Sequence, residues 1–111
     1  GLSAVRYPRD AVSERFADVD CPPFELGRAR PLLTVDQADV AILGYGTMAI
    51  TGMETRDLLG DEYAVSVYDA RFAKPVDEEA LAAMLGADST AVCTHDRAVP
   101  PRPRLAPLAY I

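Results

Sequence analysis

Residues 38–59 of the 111-residue chain, ADVAILGYGTMAITGMETRDLL, limit what it can fold into more than any other stretch. Val40-Ala41-Ile42-Leu43 is an unbroken apolar run of strand length, the pattern of a strand covered on both faces. Gly44-Tyr45-Gly46-Thr47 supplies a turn, and Thr47 is placed to accept a hydrogen bond from the free N–H groups of a helix starting at Met48. A strand, a turn and a helix in that order form the repeating unit of a parallel α/β domain.

The unit recurs. Residues 63–69 (YAVSVYD) read as a second strand, and residues 70–76 lead through Pro75 into a second helix over 77–85. Ala80, Leu81, Met84 and Leu85 share one face of that helix, Asp77 caps its positive end, and Gly86 stands where a C-terminal cap belongs. Residues 90–94 (TAVCT) form a third strand. Spacings of about a dozen residues suit parallel strands joined by right-handed helical crossovers. On the first helix, a turn of about 100° per residue puts Met48, Gly52, Thr55 and Leu59 on one side. Ile50 and Met53 then point away, either through a small mis-registration or a broad buried stripe, or toward another domain or subunit.

Before this core, residues 3–7 are strand-like and stop at Pro8, leaving Arg9 at the mouth of a loop. Residues 10–23 form a polar connector ending in Cys21-Pro22-Pro23, as a linker between domains would. Residues 24–35 resume an extended pattern, and Asp36-Gln37 turns tightly into the central strand. Pro31 belongs on a sheet edge, so an edge hairpin is expected there. Pro100, Pro101, Pro103 and Pro107 make the tail non-helical, extended and mobile. The fold expected is a small three-layer α/β domain with a mainly parallel sheet, preceded by an extended linker.

At 50% hydrophobic and 25% charged residues, one small domain can bury a core. A net charge of −6 disfavours nucleic acid and anionic membrane as partners. No apolar run approaches the roughly 18 residues of a membrane span. Cys21 and Cys93 stand far apart without a CxxC or a histidine cluster, which suggests reduced thiols in a cytoplasmic protein and no metal site. Gly1-Leu2-Ser3 brings no initiator methionine, so a piece cut from a longer chain is expected.

Four segments read together, Ala4-Val5-Arg6-Tyr7-Pro8-Arg9, Phe24-Glu25-Leu26-Gly27-Arg28-Ala29-Arg30, Val40 through Met48, and Asp69-Ala70-Arg71-Phe72-Ala73-Lys74-Pro75-Val76-Asp77, resemble the C-terminal part of the 1-deoxy-D-xylulose-5-phosphate synthase family. The resemblance covers roughly residues 4–99. It implies a transketolase-type, thiamine-diphosphate-dependent transferase that condenses pyruvate with glyceraldehyde 3-phosphate, with loss of carbon dioxide, in isoprenoid precursor biosynthesis. It implies three segments: 1–23, the end of a middle domain plus linker; 24–99, an incomplete transketolase C-terminal-like domain; and 100–111, a proline-rich tail foreign to the family. In such enzymes the cofactor, its magnesium and the activating glutamate sit on N-terminal and middle domains absent from this chain. This chain then holds no cofactor or metal and no catalytic residue, is inactive alone, and supports the missing domains and a second subunit.

One site residue is implied. Arg9 matches the second arginine of the family's RYPRG motif, which contacts the phosphate of the aldehyde substrate, and a guanidinium offers phosphate a planar fork of donors. Asp10 replaces the motif's glycine, and its carboxylate must turn away from a phosphate. Arg71, Lys74 and Asp77 are expected to be structural, with Asp77 as a cap. His95 and Asp96 lack a neighbouring nucleophile and are not expected to be catalytic. Other readings are the C-terminal domain of a transketolase or of a 2-oxo acid dehydrogenase beta subunit. A non-catalytic interaction module is a third, since Arg97-x-x-Pro100-x-x-Pro103 fits a polyproline ligand pattern.

Overall fold

The computed structural model describes residues 1–5, 7, 9, 11, 13–16, 20–60, 62–85, 90–94 and 109–110. In chain order these hold a single 3₁₀ turn at Glu14–Phe16, then β1 (Arg30–Leu33), β2 (Val40–Gly44), α1 (Thr47–Leu59), β3 (Val65–Asp69), α2 (Glu78–Leu85), β4 (Thr90–Thr94) and β5 (Ala109–Tyr110). They build one sheet in the order β1-β3-β2-β4-β5. The four strands β3, β2, β4 and β5 run parallel, and β1 is antiparallel at the edge against β3.

The central place of β2 follows from its composition. Ala41, Ile42 and Leu43 are each at most 4% exposed, and alternate side chains feed two separate cores. Ala41 and Leu43 join Ala70, Leu81 and Met84, with Ala80 and Val76 packed against them. Ile42 joins Val65 and Val67 on the opposite face, covered by Met53 and Leu59 of α1. The chain winds from β2 to β3 through α1, then back past β2 to β4 through α2. Two crossovers in opposite directions with the same hand place their helices on opposite faces, which gives the three layers. The α/β expectation holds: the sheet is mainly parallel, with one antiparallel strand at its edge.

Polar groups lock the register. Asp39 Oδ2 accepts the Ala64 N–H at 2.8 Å, while Asp39 N–H donates to the Ala64 carbonyl at 2.7 Å, joining the starts of β2 and β3. Ser66 is 3% exposed, and its hydroxyl oxygen accepts the Val35 N–H at 3.1 Å, so this buried polar group is satisfied. Gly52 lets α1 sit close to the sheet: a Cβ there would lie 3.0 Å from Ile42 Cγ2 and 3.2 Å from Val67 Cγ1.

Several local expectations need correcting. The residue preceding α1 is Gly46, at φ 56° and with no side-chain cap, and Thr47 is already helical. The buried stripe of α1 starts at Ala49 and continues through Gly52 and Met53, so Met53 faces the core and Ile50 is half-buried. The reason is a close approach, since a Cβ on Gly44 would come within 2.6 Å of the Ala49 backbone, and this contact fixes the rotation of the helix. β1 forms no hairpin with β2, because its edge partner is β3. Pro31 does occupy that edge, and the register slips between Pro31 and Leu33, where proline has no N–H to give the ladder. Residues 3–5 and 7 are not in a strand. Part of the tail is more than loose chain: Ala109 and Tyr110 pair in parallel with Val92 and Cys93, using the open edge of β4. The expected cap at Gly86, the pair His95 and Asp96, and residues 100–108 lie outside the described residues.

Candidate functional site

The carboxyl ends of parallel strands are where α/β folds gather functional side chains. Here the end of β3 passes into Ala70-Arg71-Phe72, and the Ala70 N–H donates to the Gly44 carbonyl at the end of β2 (2.8 Å). Arg71 sits at φ 57°, a left-handed conformation that costs a long side chain about 1–2 kcal/mol. Asp69 helps to hold it there, its Oδ1 accepting the Arg71 N–H at 3.1 Å.

From that turn the Arg71 side chain, only 5% exposed, runs beneath the segment 21–24. Its Nη1 donates to the Pro23 carbonyl (3.3 Å), and its Nη2 donates to the Pro22 carbonyl (3.3 Å) and to Cys21 Sγ (3.5 Å). The guanidinium carbon lies 4.3 Å from the centre of the Phe24 ring, which meets Phe72 edge-on at 6.0 Å. Nε is buried without a hydrogen-bond partner, and the nearest carboxylate oxygen, Asp69 Oδ2, is 3.9 Å away. Arg71 is thus a structural arginine, as expected, but through contacts to a distant segment that its own motif does not announce.

Asp77 forms a second junction. Its Oδ1 accepts the Ala80 N–H at 3.0 Å, the N-cap bond of α2, and its Oδ2 accepts the Ala29 N–H at 2.8 Å. Those bonds, the Ala80 one foremost, together with the nearby Arg28 guanidinium, hold the Asp77 carboxyl below the usual aspartate range. Arg28 also pairs with Glu79, and that hydrogen bond raises the guanidinium further above its ordinary value. Lys74, at the same end of the sheet, is exposed. Between these groups lies a shallow depression lined mainly by Leu43, Tyr45, Ala70, Phe72 and Val76.

Upstream, two more contacts pin the connector: Arg15 pairs with Asp57 of α1 at 2.7 Å, and Arg30 Nη2 donates to the Asp20 carbonyl at 2.8 Å. The Arg15 hydrogen bond, followed by one from Arg56, lowers the Asp57 carboxyl. Arg9 is exposed, and the structure does not bring it together with Arg71 or Asp77. Among the described residues no three His, Cys, Asp or Glu side chains gather as metal ligands, and no helix is long and apolar enough to cross a membrane. The Asp77 carboxylate is committed to backbone donors, and the depression beside it is lined mainly by apolar side chains.

Residues 29–100 match the family described as transketolase, C-terminal domain, a span that starts just before β1 and contains β1 through β4 with both helices. The 1-deoxy-D-xylulose-5-phosphate synthase of Synechocystis sp. is 37% identical over 81 residues, 71% of this chain and 12% of that protein. The enzyme of the same name from Sulfurimonas denitrificans is 37% identical over 78 residues, 70% of this chain and 12% of that protein. That of Aliivibrio salmonicida is 31% identical over 103 residues, 89% of this chain and 16% of that protein. The chain therefore spans 12–16% of the length of these relatives. With its doubly wound sheet and this match, the chain belongs to the transketolase C-terminal domain family, as a domain of the 1-deoxy-D-xylulose-5-phosphate synthase type.

Proposed function

We propose that this chain acts as the C-terminal domain of a thiamine-diphosphate-dependent synthase that condenses pyruvate with glyceraldehyde 3-phosphate, toward isoprenoid precursors. Its role there is structural: it backs the domains that hold cofactor and magnesium and takes part in contact with a second subunit. Alone it is inactive. The observation that carries this proposal is the match to synthases extending over 103 residues, well beyond the family domain itself and into the connector that bears Arg9. The net charge of −6 supports a protein without nucleic acid or anionic membrane partners, and Cys21 and Cys93, far apart in sequence, suit the reduced thiols of a cytoplasmic protein.

Arg9 is the one residue of this chain that we assign to substrate, as the donor that holds the aldehyde's phosphate. Exposure on the connector leaves its guanidinium free to present a bidentate fork to phosphate oxygens. In the complete synthase Arg9→Ala is expected to weaken glyceraldehyde 3-phosphate and not pyruvate. A charge-assisted contact contributes about 1.5–3 kcal/mol, so kcat/KM for the phosphate-bearing substrate should fall roughly ten- to a hundredfold. Lysine should recover only part of that loss, having the charge without the fork. Equal effects on both substrates, or none, would make Arg9 a structural arginine. The 111-residue chain, given both substrates with thiamine diphosphate and magnesium, should release no carbon dioxide above background, and protein-dependent release would overturn the structural role.

A further inference from the structure

We propose that Arg71 is a positioning residue: it anchors the segment 21–24 to the sheet and thereby sets where the connector bearing Arg9 lies. The second half of this proposal rests on the phosphate-binding role given to Arg9 above, while the first half stands on geometry alone. Three features single out Arg71 among the contacts that pin the connector.

The first is burial. Arg15 and its partner Asp57 have side chains 37% and 44% exposed, so that pair is solvated and weak, whereas the Arg71 side chain is 5% exposed. The second is the kind of partner. Arg71 grips two consecutive backbone carbonyls, Pro22 and Pro23, plus the Cys21 sulfur, and stacks on Phe24. A planar fork can satisfy adjacent carbonyls and an aromatic face at once, which an ammonium cannot. Prolines at 22 and 23 have no N–H of their own, so the segment cannot join the sheet ladder and has to be held by its carbonyls. The third is strain: a left-handed turn and an unpartnered Nε are tolerated in one side chain, and the compensation visible is the grip on this segment.

Phe24 remains 64% exposed even when stacked, so the segment is a strap over the edge of the domain rather than part of its core. Releasing it should leave the sheet folded. The residue matching the phosphate contact lies upstream on the same connector, whose course is constrained more by the buried Arg71 anchor than by the solvated Arg15–Asp57 pair.

The test begins with backbone order in the 111-residue chain, measured by ¹⁵N relaxation. The amides of Cys21 and Phe24 should show order parameters near those of a rigid backbone, about 0.85, and fall below about 0.6 in Arg71→Gln, with β2 and β3 unchanged. Phe24→Ala removes the stacking from the strap side without touching the core and should loosen the same amides in part. It keeps the proposal testable should Arg71→Gln fail to fold. Arg71→Lys should not restore order. Unchanged order in both Arg71→Gln and Phe24→Ala would overturn the anchor. In the complete synthase, Arg71→Gln should raise KM for glyceraldehyde 3-phosphate roughly tenfold, with kcat and the KM for pyruvate nearly constant. If order is lost but neither KM moves, the anchor stands and its link to Arg9 is refuted.

Discussion

Replacing Asp77 by alanine isolates how much of this fold depends on one carboxylate that serves two elements at once. In Asp77→Ala the Ala80 N–H loses its cap and the Ala29 N–H, at the approach to β1, loses its acceptor. Loss of an N-cap costs about 1 kcal/mol, and loss of a partly buried hydrogen bond to a charged acceptor costs about 1.5–3 kcal/mol. Because both bonds share one side chain and the structure relaxes, the expected total is about 2–4 kcal/mol, a drop in Tm of roughly 10–20 °C for a domain of this size. Asp77→Asn keeps one oxygen for the cap but turns an NH2 toward the Ala29 N–H, so its loss should fall near the middle of that range. The Asp77 carboxyl is depressed in the folded state, so its contribution is present above the ordinary aspartate pKa of about 4 and is lost as pH falls through the lowered folded value. Differential scanning calorimetry across pH 2–7 should therefore show the gap between the native chain and Asp77→Asn narrowing below pH ~4. If Asp77→Ala melts within about 2 °C of the native chain at neutral pH, the two-element role of this carboxylate is wrong.

Further outcomes follow from the glycines and the tail. Gly44→Ala should destabilise by about 2 kcal/mol or more, because its Cβ would meet the Ala49 backbone at 2.6 Å and backbone cannot rotate aside. Gly52→Val should cost about 1–3 kcal/mol by crowding Ile42 and Val67, while Gly52→Ala should be nearly neutral, helix propensity offsetting the contact. All three are read by urea titration. Deleting residues 109–111 removes the strand paired with β4 and should lower Tm by a few degrees, read by far-ultraviolet circular dichroism.

How much of this was legible depends on how local each cause is. The run Val40 to Leu43 announces its place because burial on both faces demands apolar residues at every position, a signal carried within the strand itself. Asp77 is legible for the same reason: a cap acts three residues ahead, and Ala80 is where the rule puts its partner. The α2 face, with Leu81 and Met84 buried, follows from period alone. The α1 face does not. Its stripe is shifted by one residue because Gly44 and Ala49 touch across the turn, and a wheel drawn from Met48 has no knowledge of that contact.

What stayed hidden is every case in which a polar group has a partner far along the chain. Pro31 marks an edge strand correctly, yet the edge belongs to β3, 34 residues on from Pro31 at Val65, because the crossover through α1 puts β3 outside β2. Arg71 reads from its neighbours as a charge at the end of a strand. Its stacking on Phe24 and its bonds to Pro22 and Pro23 depend on a left-handed turn that no β-former or charge pattern encodes. The one available sign was negative: Cys21-Pro22-Pro23 offers a single N–H in three residues, so a segment that must cross a packed domain there has to be held through its carbonyls, and only a donor with several N–H groups can do so. Among the arginines near the strand ends, the one whose side chain is buried is the one that meets this need. The elements that make the scaffold were thus written in local pattern. The contact that ties the connector to it was written in the absence of donors, and shows its partner only once the sheet is assembled.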